Sequence, residues 1–175
     1  MVKSGVLKRD NSGFSLLELV VSLIIISTLM LWAYKSLEGL AEDVERVSFE
    51  GVSQNIQAQV TLKVAYWFAE QNEVSKTELR TANPMELIQH RPFNYAGEIT
   101  YSELAKVQGE FWYFVTDKHW LVYKAKRVTQ LKNEFEQVDV IPFQIVATLQ
   151  QPGRENGLAV EASLLPLYKF YWKAD

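Results

Sequence analysis

One stretch limits what this chain can become. From Phe14 to Trp32 it reads FSLLELVVSLIIISTLMLW, with Glu18 as its single charge. A helix of about 20 apolar residues crosses the hydrocarbon of a bilayer. A soluble domain has little reason to carry such a run. Ahead of it lies a short polar segment, Met1 to Gly13, with Lys3, Lys8 and Arg9 against Asp10.

Three readings compete for this segment. A secretory signal peptide needs a small-residue cleavage site after its apolar core. Here the run is followed by Ala33-Tyr34-Lys35-Ser36-Leu37-Glu38, without a small-x-small pattern. A plain single-pass anchor explains the length and the flanking charges, but not an acid inside the run. An acidic residue at the centre of a membrane helix costs roughly 2.5–3.5 kcal/mol. Glu18 sits nearer the end and costs less, yet it remains unfavourable without a partner, unless it snorkels to the headgroups.

The third reading uses every feature at once. A basic leader ending in Gly13, then Phe14, with Glu18 the fifth residue from Phe14, resembles the class III signal of type IV pilins and pseudopilins. That resemblance covers about the first 35 residues. It implies that a membrane prepilin peptidase and methyltransferase cuts between Gly13 and Phe14 on the cytoplasmic side, then methylates the Phe14 nitrogen. The residue types suit this chemistry. Glycine lets an extended backbone enter a narrow cleft, and the methylated amine stays positive. In that family the Glu18 position is neutralised by the terminal amine of a neighbouring subunit, and pairing offsets the desolvation of both charges. Positive flanks stay in the cytoplasm, which implies an inner-membrane, single-pass protein with a periplasmic C-terminal head.

Beyond the membrane run, Leu37, Leu40, Val44, Val47, Ile56, Val60, Val64 and Trp67 recur mostly three or four residues apart. Between them lie Glu38, Glu42, Asp43, Glu45, Arg46, Gln54, Gln57 and Gln59. The pattern predicts an amphipathic helix with the apolar stripe facing a core. No proline precedes Pro84, so one helix can run from Phe14 to about Phe68, on the order of 80 Å. Family pilins often carry a kinking proline in this helix. Its absence is a departure, and Gly39 and Gly51 are the softer points here. The expected organisation is a leader (1–13), a transmembrane and filament-core helix (14–35), its amphipathic continuation (36–80) and an α+β head (81–175).

Asn83-Pro84-Met85-Glu86 reads as a helix start: N-cap, first helical residue and a capping box closed by Glu86. A short helix to about Gln89 follows, then a connection over Pro92 to Gly97. The period then changes to two. Phe111–Val115 and Trp120–Ala125 flank Thr116–His119 as a hairpin. Ile141 to Leu149 alternates as another strand, with Pro142 pointing to an edge or a strand start. After a Gln151–Gly157 turn, Leu158, Val160, Ala162 and Leu164 form one more. The expected fold class is α+β, pilin-like: a long helix packed against a small antiparallel sheet. Trp112, Tyr113, Trp120, Tyr123, Tyr168, Phe170, Tyr171 and Trp172 are expected in core and sheet face rather than on a ligand platform.

The later residues carry a second resemblance. Asn83-Pro84-Met85, Asn94-Tyr95-Ala96-Gly97-Glu98, Gly109 with Trp112-Tyr113-Phe114, and Leu121-Val122-Tyr123-Lys124 resemble the minor pilin-like biogenesis proteins of mannose-sensitive haemagglutinin (MSHA) pili. Two departures are Lys124, where an arginine is expected, and Asp117, which comes later than the acid usually following the Trp-Tyr pair. The resemblance implies other pilin subunits and the pilus assembly machinery as partners.

Composition narrows the alternatives. The 175 residues contain no cysteine, which removes disulfides, thiolate catalysis and Cys-based zinc sites. His90 and His119 stand alone, outside any spaced metal motif. A net charge of -3 with no basic run beyond the leader lacks the footprint of nucleic-acid binding. No nucleophile elbow, P-loop or zinc-protease helix is present. Glu134, Glu136 and Asp139 read as a solvated loop rather than a calcium site. No cofactor or enzymatic activity is expected. A structural assembly role leads, with a type II secretion pseudopilin and a membrane-anchored periplasmic binding module as alternatives.

Overall fold

The computed structural model describes residues 15–70, 72, 74–149 and 159–173. The leader, the Gly13–Phe14 junction, Leu158 and the expected Gln151–Gly157 turn lie outside them. The chain divides into two compact units, Met1–Leu40 and Ala41–Asp175. The first helix, α1, spans Leu16–Ala69 and continues through both Gly39 and Gly51.

The described part of the first unit is helix alone. Its apolar side chains are exposed, from Leu16 (81 %) to Trp32 (73 %). Thr28 donates its hydroxyl to the Ile24 carbonyl at 2.8 Å, so no backbone acceptor has to be sought elsewhere for it.

The second unit is an α+β head. After α1, two short helices follow: α2 (Lys76–Thr81) and α3 (Pro84–Leu87). α1 ends at Ala69, one residue past the Phe68 expected for it, and α2 starts afresh within the 36–80 segment. Its start is a capping box: Ser75 Oγ accepts from Glu78 N, and the Glu78 carboxylate accepts from Ser75 N at 2.8 Å. Asn83 caps α3 as expected, accepting from Met85 N, with Pro84 in the first turn. Glu86 does not close a box there. The Asn83 amide turns outward to donate to Tyr95 Oη and Glu98 Oε1, and the helix stops at Leu87.

Seven strands complete the head: β1 (Tyr95–Ile99), β2 (Phe111–Val115), β3 (Trp120–Lys124), β4 (Leu131–Asn133), β5 (Val140–Leu149), β6 (Ala159–Pro166) and β7 (Phe170–Trp172). The five-stranded sheet has the order β1-β2-β3-β5-β6, and β4 pairs with β7 separately. The expected hairpin is β2–β3, with Phe111 opposite Lys124 and Val115 opposite Trp120. The sheet is antiparallel except for β1, which runs parallel to β2. The segment expected as a plain connection thus becomes an edge strand. Asn94 O accepts from Trp112 N and Ile99 O from Thr116 N, and Gly97 supplies φ 107° where the register shifts. Pro142 lies near the start of β5, an interior strand. β6 ends at Pro166, opposite Phe143, and the next residue, Leu167, donates its N–H to the Pro142 carbonyl at 2.9 Å, so the missing proline N–H falls where the regular β5–β6 ladder has ended.

One sheet face packs on α1. The Phe49 ring stacks on Trp112 and lies with ring centroids 4.8 to 6.1 Å from Tyr123, Trp172, Phe170 and Phe143 in tilted or edge contacts. Ile56, Val60 and Val64 continue this core towards Leu79 and Met85. The opposite face holds a smaller cluster of Leu104, Val115, Val122, Phe135 and Val140. Strand alternation explains the division: Leu121 and Tyr123 face α1 while Val122 faces away. Edge strand β6 is tied down from outside, where Thr61 Oγ1 donates to Ala162 O at 2.8 Å and Ala159 N to Val74 O.

The expected stripe of α1 needs a correction. Ile56, Val60 and Val64 are buried, but Leu37, Leu40, Val44 and Val47 are 58–64 % exposed. The buried positions in that part of the helix are Glu42, Glu45 and Phe49. Two carboxylates therefore take the place of the leucines and valines.

Candidate processing and assembly site

Ser15 opens the described chain. Its Oγ accepts from Glu18 N at 3.2 Å and its carbonyl from Leu19 N. Ser15 thus caps α1. Glu18 lies in the first turn, exposed, where the positive end of the helix favours a carboxylate. Among the described residues no cation pairs with it. Gly13 and Phe14 lie outside the described residues.

The helix carrying Glu18 has an 18-residue window of mean hydropathy 2.3 with none of it buried. By length and composition it can cross a membrane.

In the head, sequence reasoning missed the strongest polar cluster. Glu45 is buried and accepts from Lys126 N (2.7 Å), Arg127 N (3.2 Å), Arg127 Nη1 (3.2 Å) and Tyr123 Oη (3.3 Å). Burial first, and the Glu45 charge second, push the Tyr123 hydroxyl well above the ordinary tyrosine range, so it remains a donor. Glu42 accepts from Gln130 N at 2.7 Å and Trp172 Nε1 at 3.2 Å. Arg127 also pairs with Glu110 at 2.5 Å. Gly109 permits this approach: a Cβ there would stand 2.8 Å from Lys126 Cα. The segment 126–130, between β3 and β4, is thereby fastened to α1 by two side chains one turn apart.

The other sequence candidates are accounted for by local structure. His119 takes a positive φ of 55° in the hairpin turn. Asp117 Oδ1 accepts from Tyr101 N at 2.8 Å. Lys124 is buried and pairs with Asp139 at 2.7 Å, so Asp139 leaves the acidic cluster of Glu134 and Glu136. Among the described residues no group of three metal-ligating side chains forms. Most of the named aromatics lie in the core, but Tyr168 and Tyr171 are exposed.

No curated protein and no solved structure matches the chain. The profile of the prokaryotic N-terminal methylation motif matches residues 8–34, which contain Gly13, Phe14 and Glu18. That motif is the N-terminal signal of type IV pilin-like and pseudopilin precursors, and it implies processing by prepilin peptidase.

Proposed function

We propose that this chain is a minor pilin-like subunit for the biogenesis of an MSHA-type type IV pilus, akin to the F component of that system. It has a structural and assembly role, not an enzymatic one. It sits in the inner membrane through residues 14–35, with its leader cytoplasmic and its head periplasmic. The peptidase cuts between Gly13 and Phe14, Phe14 is N-methylated, and Glu18 receives the charged terminus of a neighbouring subunit. The methylation motif over 8–34, coinciding with an acid in the first turn of an apolar helix, supports the pilin-like role and its processing; the MSHA assignment rests on the resemblance of residues 83–85, 94–98, 109–114 and 121–124.

Mass spectrometry of the membrane form tests the processing. The expected N-terminus is N-methyl-Phe14, and an intact Met1 in peptidase-positive cells refutes it. Glu18→Ala is expected to insert normally while its incorporation into filaments falls on the order of a hundredfold, the scale of a broken buried ion pair. Unchanged incorporation removes Glu18 from the mechanism. A type II secretion pseudopilin shares the same motif and processing. Gene neighbourhood separates the two.

A further inference from the structure

The outward face of the β4–β7 pair gathers cations around one aromatic. Lys132 stands directly opposite Tyr171, and Leu131 opposite Trp172. Strand alternation sends Trp172 and Leu131 inward, where both are buried, and leaves Lys132, Lys169, Tyr171 and Lys173 exposed on one side. Tyr171 is 63 % exposed. The face contains one described acid, Glu134, whose N–H meets Lys169 O. No described carboxylate pairs with any of the three lysines. Asp175 lies outside the described residues. In a chain of net charge -3 this is a local excess of positive charge.

The chain's own connectivity says what such a face can meet. The neighbouring Trp172 is hydrogen-bonded to Glu42 of α1, and Glu42 follows Lys35, the end of the proposed membrane segment, by seven residues. Seven residues reach at most about 25 Å even fully extended. Lysine stems and a tyrosine ring suit the headgroup layer, with apolar bodies and polar tips.

We infer that the face formed by Lys132, Lys169, Tyr171 and Lys173 docks on anionic phospholipid headgroups of the membrane in which the subunit waits before assembly. The inference rests on the reading of residues 14–35 as a membrane segment. Each lysine near an anionic surface strengthens contact about fivefold, so a net excess of two charges gives roughly thirtyfold. Docking is released when the subunit leaves the bilayer.

The absence of cysteine makes the test direct. The full chain with Tyr171→Cys carries a nitroxide and is reconstituted in nanodiscs of phosphatidylcholine, with or without one-third phosphatidylglycerol. Collision with a water-soluble nickel chelate is expected to fall severalfold in the anionic discs only. It should recover at about 0.5 M salt, where the Debye length is roughly 4 Å, and in the Lys132→Glu, Lys169→Glu, Lys173→Glu background. Equal accessibility in both lipids overturns the inference. Equal protection in both, insensitive to salt, also overturns it and assigns the face to a protein contact. Failure of the chain to enter nanodiscs at all would instead refute the membrane segment.

Discussion

Glu45→Ala is the sharpest perturbation the head allows. Glu45 is 5 % exposed and receives four donors, two of them backbone N–H groups of Lys126 and Arg127. Truncation leaves Lys126 N, Arg127 N and Tyr123 Oη without their acceptor in a half-buried site. Hydrogen bonds to a charged group contribute about 1.5–3 kcal/mol each, and orphaned donors cost about 1–3 kcal/mol. These terms overlap because water reaches Arg127, whose side chain is 30 % exposed. Breaking one partner of a buried pair costs about 3–5 kcal/mol, and the lower half of that range, about 3–4 kcal/mol, is the expected loss. Glu45→Gln retains one carbonyl acceptor and should lose about half as much. Urea unfolding of the full chain in detergent, followed by tryptophan fluorescence, measures both. Glu50→Ala is the control: its carboxylate is exposed, Arg46 keeps Asp43 at 3.6 Å as a second partner, and the change should shift stability by at most about 1 kcal/mol. A loss for Glu45→Ala no larger than for Glu50→Ala would refute the claim that the carboxylate fastens segment 126–130.

Phe49→Ala removes the ring that five aromatics surround, and should cost about 3–5 kcal/mol in the same urea titration; a loss under about 1 kcal/mol would mean the core collapses around the gap. Hydrogen bonds from the Ser75 backbone and hydroxyl hold the Glu78 carboxyl below its ordinary value, and Thr100 does the same for Glu103. A depressed carboxylate contributes stability that is complete above its unfolded value and is lost as pH falls through the folded one. Head stability should therefore decline as pH drops below about 4.3, and Glu78→Gln with Glu103→Gln should flatten that decline. An unchanged acid limb in the double variant would sink this assignment.

The N-terminal methylation motif over 8–34 and the apolar helix were legible because a basic leader followed by a long apolar run is local and rare. The hairpin was legible for a similar reason, since aromatic and β-branched residues alternate on both sides of a polar turn. The parallel pairing of β1 was not. Tyr95–Ile99 carries Gly97 and an exposed Glu98, and it becomes a strand only because β2 supplies partners more than a dozen residues away. The β4–β7 pair was hidden too. Three-residue strands carry too little period to read, and their pairing joins Leu131 to Trp172.

The error on α1 is the most instructive. Two stripes of equal spacing run along that part of the helix, Leu37-Leu40-Val44-Val47 and Glu42-Glu45-Phe49-Val52-Ile56. Hydrophobicity selects the first, yet the head packs on the second. The choice is decided by what faces the helix. Segment 126–130 presents backbone N–H groups and Arg127, which need acceptors more than they need leucine. A buried carboxylate is worth placing only where donors converge, and those donors lie some 80 to 90 positions away in sequence. The same assignment leaves Val44 and Val47 uncovered by their own head. Glu42 and Glu45 therefore hold the head on one side of α1, and Val44 and Val47 stay exposed on the other.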